Sequence, residues 1–193
     1  FDASDIARYF LGTFDGEAGD NISNLKLQKL LYYAQGFHIA MQGKVLFPEE
    51  ILRWEHGPVV RAIYQQYCRH GWRAIDPPDD FDIEDYPPEV REILDAVNSV
   101  YGKYTAKELE HRTHRERPWL ETSPDGVISP ELLSDFFTTL VEAGRQQMPV
   151  DGEVWPVQSF QFQQRHTLSN RMEGHRMKLR GIAARFRDAP IAD

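Results

Sequence analysis

The sequence predicts a mainly α protein: a compact helical domain with one small β-hairpin, followed by a basic amphipathic C-terminal arm. Three observations carry that class. Apolar residues recur at three- and four-residue spacing along most of the first 145 positions, the signature of helices with one buried face. One β-prone stretch, residues 45 to 56, interrupts the pattern. The balance of charge then reverses near residue 156, where seven Arg/Lys face three acids for a net +4, leaving −12 on residues 1 to 155.

The elements follow in order. Residues 4 to 14 place Ile6, Tyr9, Phe10 and Phe14 on one helix face, and "GEAGDN" breaks the pattern with turn residues. From Ser23 to Met41 the stripe Leu27, Leu30, Leu31, Ala34, Phe37 and Met41 is widened by Leu25, Tyr32 and Ile39. That breadth predicts the central buried helix, with Ser23 as N-cap and Gly43 just past its end. "KVLFPEEILRWEH" predicts a hairpin of two short runs separated by Pro48-Glu49-Glu50. Gly57 supplies backbone freedom at its exit, and Pro58 suits the first turn of a helix over about 59 to 70. That helix is expected to bury Val60, Ile63, Tyr64 and Tyr67 and to end at Gly71.

"DPPDDFDIEDYPPE", residues 76 to 89, has four prolines and seven acids and reads as an exposed loop. Helix 88 to 101 carries Val90, Ile93, Leu94, Val97 and Tyr101 inward. "TAKE", residues 105 to 108, is a capping box for a short helix that stops before Pro118. Ser129-Pro130 opens helix 130 to 145, with Leu133, Phe136, Phe137, Leu140 and Val141 inward. Residues 1 to 150 are expected to form the domain and residues 151 to 193 a helical extension. On the extension Leu168, Met172, Leu179, Ile182 and Phe186 recur between arginines, and Gly174 and Gly181 weaken the helix. Such a segment docks on its own acidic body, on a partner or second copy, or on an anionic membrane, in that order of preference.

Function classes narrow in turn. An acidic body lacks the basic footprint of a nucleic-acid binder. No apolar run has the length of a membrane span and no signal-peptide pattern opens the chain, so a cytoplasmic protein is expected. The first residue is Phe rather than Met, and the sequence leaves open whether it is the natural N-terminus. Cys68, the single cysteine, excludes an internal disulfide framework and is expected as a buried, inert thiol.

The chemistry-bearing residues make a weak case for an enzyme. His111 and His114 stand three apart near Glu108 and Glu116, but no second cluster completes a metal site. "HRE" before Pro118 lacks the P-C-x-x-C partner of a zinc deaminase. No phosphate loop and no G-x-S-x-G elbow is present. Adjacent Glu55 and His56 would point to opposite faces of a strand and serve poorly as an acid/base pair. No cofactor or metal is expected.

Linked motifs then resemble a family. Leu27, Lys29, Leu30, Tyr32, Tyr33, Ala34 and Gly36 match an L-x-K-L-x-Y-Y-A-x-G helix. Trp54, Gly57, Pro58 and Val59 match a W-x-x-G-P-V corner, and Thr113, His114, Pro118 and Trp119 a T-H-x-x-x-P-W segment. In that order, over about residues 4 to 145, they resemble the Panacea domain of SocA-like and GepA-like antitoxins. Ile63-Tyr64 departs mildly from the family's V-Y, and the chain beyond about 150 lies outside the resemblance. The resemblance implies a non-enzymatic antitoxin of a bacterial or prophage toxin–antitoxin pair that neutralises a cognate protein toxin by direct contact. The SocA branch further implies an adaptor that delivers the toxin to the ClpXP protease through ClpX.

On this reading Trp54 to Val60 is a structural corner beside a partner-binding surface. The residues expected to meet a partner are Trp54, Glu55, His56, Tyr64, His114 and Trp119. Leu168, Met172, Leu179, Ile182 and Phe186 of the arm join them, or form a homo-oligomer contact. Two other classes stay open: a transcriptional regulator of its own operon, disfavoured by the acidic body, and a metal-dependent enzyme using His111, His114 and Glu116. Toxicity of the neighbouring reading frame, relieved by this protein, separates the first class from both.

Overall fold

The computed structural model describes residues 1–14 and 21–146, and nearly all of the "GEAGDN" turn and the whole arm lie outside them. Among the described residues the chain is mostly helical, with one three-stranded antiparallel sheet of order β2-β1-β3.

Helix α1 (Ala3–Thr13) begins in a capping box: the Asp2 side chain accepts from the Asp5 backbone and Asp5 returns the bond. Helix α2 (Asn24–Gln42) is capped by Ser23 and closed by Gly43 at φ 69°, as its sequence predicts. It is buried almost all round, from Leu27 to Ile39. Unusually for a core helix, Lys26, Gln28, Lys29, Gln35 and His38 are buried with it. Helices α4 (Pro88–Tyr101), α5 (Ala106–Thr113) and α7 (Pro130–Gln146) pack around it. Gly36 sets how near α7 comes, because a Cβ there would lie 2.2 Å from the Phe137 ring. Tyr33 stacks on Tyr101 at 3.7 Å, and Phe137 meets Phe37 edge-on at 4.9 Å.

The hairpin is offset from the one the sequence predicts. Strand β1 (Ile51–Trp54) pairs with β2 (Gly57–Val60), from Ile51↔Val60 to Trp54↔Gly57, and residues 44 to 50 form no strand. The reason is Gln35. Its Oε1 accepts from Leu46 N at 2.8 Å and Phe47 N at 3.2 Å, and its Nε2 donates to Phe47 O at 2.9 Å. The helix thereby takes the hydrogen bonds that a strand partner would have supplied. Glu55 and His56 therefore form the turn rather than a strand end, and of these turn and strand residues, 51 to 60, Gly57 takes positive φ, 96°. A turn followed by a left-handed glycine is a common way to close a hairpin without an Asn-Gly pair.

Pro58 sits in β2, not in a helix. An edge strand tolerates the missing N–H. Helix α3 (Arg61–Tyr67) starts later than expected and gives way to a 3-10 turn, Cys68–His70, that Gly71 ends at φ 60°. Two turns of helix present few inward positions: only Ile63 is buried, Tyr67 is half-buried, and Tyr64 is 40% exposed. Cys68, expected inside, is exposed.

Three smaller elements were not expected. Strand β3 (Val127–Ile128) is too short to show alternation, and Pro118 opens helix α6 (Arg117–Leu120) as well as bounding α5. Within the acidic loop 76–89 lies a 3-10 turn, Ile83–Asp85. Tyr86 is buried, and the Phe81 ring lies so close to Gly12 that a Cβ would stand 2.3 Å from it. The loop's acids face water while its aromatic rings close the core.

Candidate partner-binding site

The site is built from α2 outward. Lys29 Nζ, fully buried, donates to Pro58 O at 3.0 Å, and burial pulls its pKa down to about 7. Val60 N donates to Gln28 Oε1 at 2.8 Å, while Gln28 Nε2 reaches Asn24 Oδ1 at 3.0 Å. Side chains of one helix thus occupy the open edge of β2, which would otherwise present unpaired backbone groups. Gly57 is required for this contact. A Cβ there would stand 2.7 Å from Lys29 Nζ and 2.8 Å from Thr113 Oγ1.

A second group of residues clamps the other side of the hairpin. Trp119 Nε1 donates to Trp54 O at 3.0 Å, and Arg53 Nε donates to Trp119 O at 3.0 Å. The Arg53 guanidinium lies 4.0 Å from the Trp119 ring centre, and the His114 ring packs against the same Trp119 with centroids 4.2 Å apart. Burial holds His114 below the usual histidine range, with Glu110 and a hydrogen bond to the Glu55 backbone pulling the other way. The His114 Nε2 is buried without a partner.

The Glu55-His56 question resolves here. The two side chains are not a dyad, since His56 Nδ1 turns to Glu110 Oε1 at 3.1 Å. Lys107 Nζ holds the other oxygen of Glu110 at 2.7 Å. Burial works to raise the Glu110 pKa, yet Lys107 and His56 keep it below the ordinary carboxylate range.

Nor are His111, His114 and Glu116 brought together as ligands. The Glu116 carboxyl accepts from Tyr32 OH at 2.8 Å and Tyr33 OH at 2.9 Å, and burial raises its pKa to about 7. His111 is exposed. Among the described residues no group of three or more His, Cys, Asp or Glu is placed to hold a metal.

Beside the clamp lies an open groove of about 500 Å³ between the start of α2, the hairpin and α3. Leu25, Trp54, Val59 and Tyr64 supply its apolar lining, and the exposed Glu55 and Asp125 its charge. Trp54 and Tyr64 meet edge-to-face at 5.0 Å, and Asp125 holds φ at 60°, the described non-glycine residue with positive φ. Of the six expected domain residues, Trp54, Glu55, His56 and Tyr64 line this groove. His114 and Trp119 stand behind it as support. Leu168, Met172, Leu179, Ile182 and Phe186 lie outside the described residues.

Sequence reasoning missed Gln28, Gln35, Glu110 and Asp125. A signal for the first two was available: polar residues on a helix that is otherwise apolar around its whole circumference.

Comparison with known proteins gives two matches. Residues 27–120 match the family described as antitoxin SocA-like, Panacea domain, a narrower span than the 4 to 145 suggested by the motifs. The chain is also 30% identical over 109 residues to the antitoxin SocA of Caulobacter vibrioides (strain NA1000 / CB15N), covering 51% of this chain and 58% of that protein. The chain thus spans little more than half the length of the curated relative it matches. No solved structure matches. No described helix is long and apolar enough to cross a membrane.

Proposed function

We propose that this protein, whose residues 27–120 match the antitoxin SocA-like, Panacea domain family, is the antitoxin of a bacterial or prophage toxin–antitoxin pair. It acts in the cytoplasm by binding its cognate toxin through the groove face, with Trp54 and Tyr64 as anchors. The observation that carries this reading is how the motif residues are used. Lys29, Gly57, Pro58, His114 and Trp119 hold the hairpin against α2, α5 and α6, while Tyr32 and Tyr33 tie α2 to Glu116 at the start of α6. They build a rigid platform rather than a set of reacting groups. Trp and Tyr half-open to water at its edge are the residue types that dominate binding energy at interfaces.

The test is co-expression. Production of the neighbouring reading frame alone should arrest growth, and this protein should relieve the arrest. Tyr64→Asp, at an exposed helix position, should keep the melting temperature within a few degrees while raising the dose needed for rescue by tenfold or more. Rescue by Tyr64→Asp at the parent dose would sink the assignment of the groove. An adaptor role adds a second expectation: toxin levels fall in cells containing ClpX and stay unchanged in cells without it.

A further inference from the structure

The groove is acidic and apolar, and among its lining residues are two carboxylates and no Lys or Arg. Glu55 and Asp125 form no ion pair with a described residue. Next to Gly71, which lines the groove, Trp72 is 86% exposed. An indole left in water one residue from the groove lining adds exposed apolar surface at that end of the groove. The acidic loop 76–89 differs in having part of its charge paired and its aromatic rings turned inward. Its Asp80 is paired with Arg8 at 2.9 Å and its Glu84 with Arg91 at 2.9 Å, while Phe81 and Tyr86 turn inward.

We propose that this groove is the docking site of the chain's own basic amphipathic segment, residues 158–187. Net charge reverses between the two, −12 on residues 1 to 155 against +4 from residue 156 onward, and opposite charge favours the encounter. The segment alternates arginines with Leu168, Met172, Leu179, Ile182 and Phe186, which match the Trp54, Tyr64 and Trp72 rings in character. Reach is sufficient. The eleven residues from 147 to 157 span up to about 36 Å when extended, about the diameter of a domain of this size. Docking sets a threshold for any partner using Trp54 or Tyr64, since the partner has to displace the segment first. The inference concerns the chain alone and stands or falls apart from the antitoxin reading.

Cys68 is the chain's single cysteine, is exposed, and lines the groove, so its reaction rate reports occupancy. A tethered segment sees its site at a concentration of about 1 mM, so a contact of about 0.1 mM strength closes the groove roughly ten-elevenths of the time. Modification of the full chain by N-ethylmaleimide, a neutral reagent, should therefore be roughly tenfold slower than in Leu179→Asp/Ile182→Asp. Glu55→Lys, on the groove side, should speed the reaction as well, and combining it with the segment variant should add little further. Equal rates in the parent and both variants overturn the proposal. So does protection that grows with protein concentration, which would mean that a second copy fills the groove.

Discussion

Gly57 carries two demands at once: φ of 96° and a site with no room for Cβ against Lys29 and Thr113. Either demand alone makes a side chain expensive. Gly57→Val should therefore destabilise the domain by more than about 2 kcal/mol, read as a lowered urea midpoint with unchanged slope. An unchanged midpoint would mean that the hairpin can re-close elsewhere. Glu116 and Lys29 make opposite pH predictions. The folded Glu116 carboxyl keeps its proton up to about 7, whereas an unfolded one releases it near about 4.3. The folded state then binds the extra proton, so this contribution is complete below about 4.3 and is lost as pH rises through 7. Glu116→Gln removes it, and the parent's stability relative to that variant should drop between about pH 4.3 and 7 and level off above. Lys29 is neutral in the fold above about 7 but protonated in the unfolded chain up to about 10.4. Its contribution therefore rises from pH 7 toward 10, and Lys29→Met should flatten that rise. A parent-minus-variant difference that is constant with pH contradicts either assignment.

At the scale of elements, helix ends are written locally and are read locally. Asp2, Ser23, Thr105 and Gly43 each act within four residues of themselves. Thr105→Ala, which removes the hydroxyl half of its capping box and leaves the Thr105 N–H bond to Glu108 in place, should cost about 1 kcal/mol and shorten α5 protection in hydrogen exchange. Packing between helices is a longer-range affair. Gly36→Ala puts a methyl into the Phe137 ring, so α7 has to move off α2, at about 1–3 kcal/mol and with a changed near-ultraviolet aromatic signal. A stability within 0.5 kcal/mol of the parent, on the order expected for a surface change, would show that α7 yields freely. The hairpin was misplaced from sequence because residues 44 to 47 and 51 to 54 are about equally β-prone. Gln28 and Gln35, on another element, decide between them. For the same reason Tyr64 and Cys68 were placed inside: the helix periodicity ran on to residue 70, but α3 stops at Tyr67 and β2 absorbs Val60.

For the whole molecule, the buried core among the described residues runs from Ala3 to Val141. Deleting residues 151–193 should leave one cooperative unfolding transition and lose no more than about 1–2 kcal/mol, the size of a weak tethered contact. Loss of cooperativity would make the extension part of the domain. By itself the sequence determined the helical class, the helix caps, the acidic body with its basic extension, and the ordered motifs that mark the family. Those are properties of composition and of spacings within a turn or two. Only the tertiary structure decided the hairpin register, the exposure of Tyr64 and Cys68, the engagement of Glu116 by two tyrosines, and the groove. Each of these depends on a hydrogen bond or close approach between side chains tens of residues apart, such as Lys29 with Pro58 or Tyr32 with Glu116. Local periodicity contains no information about which distant partner a buried polar group will find.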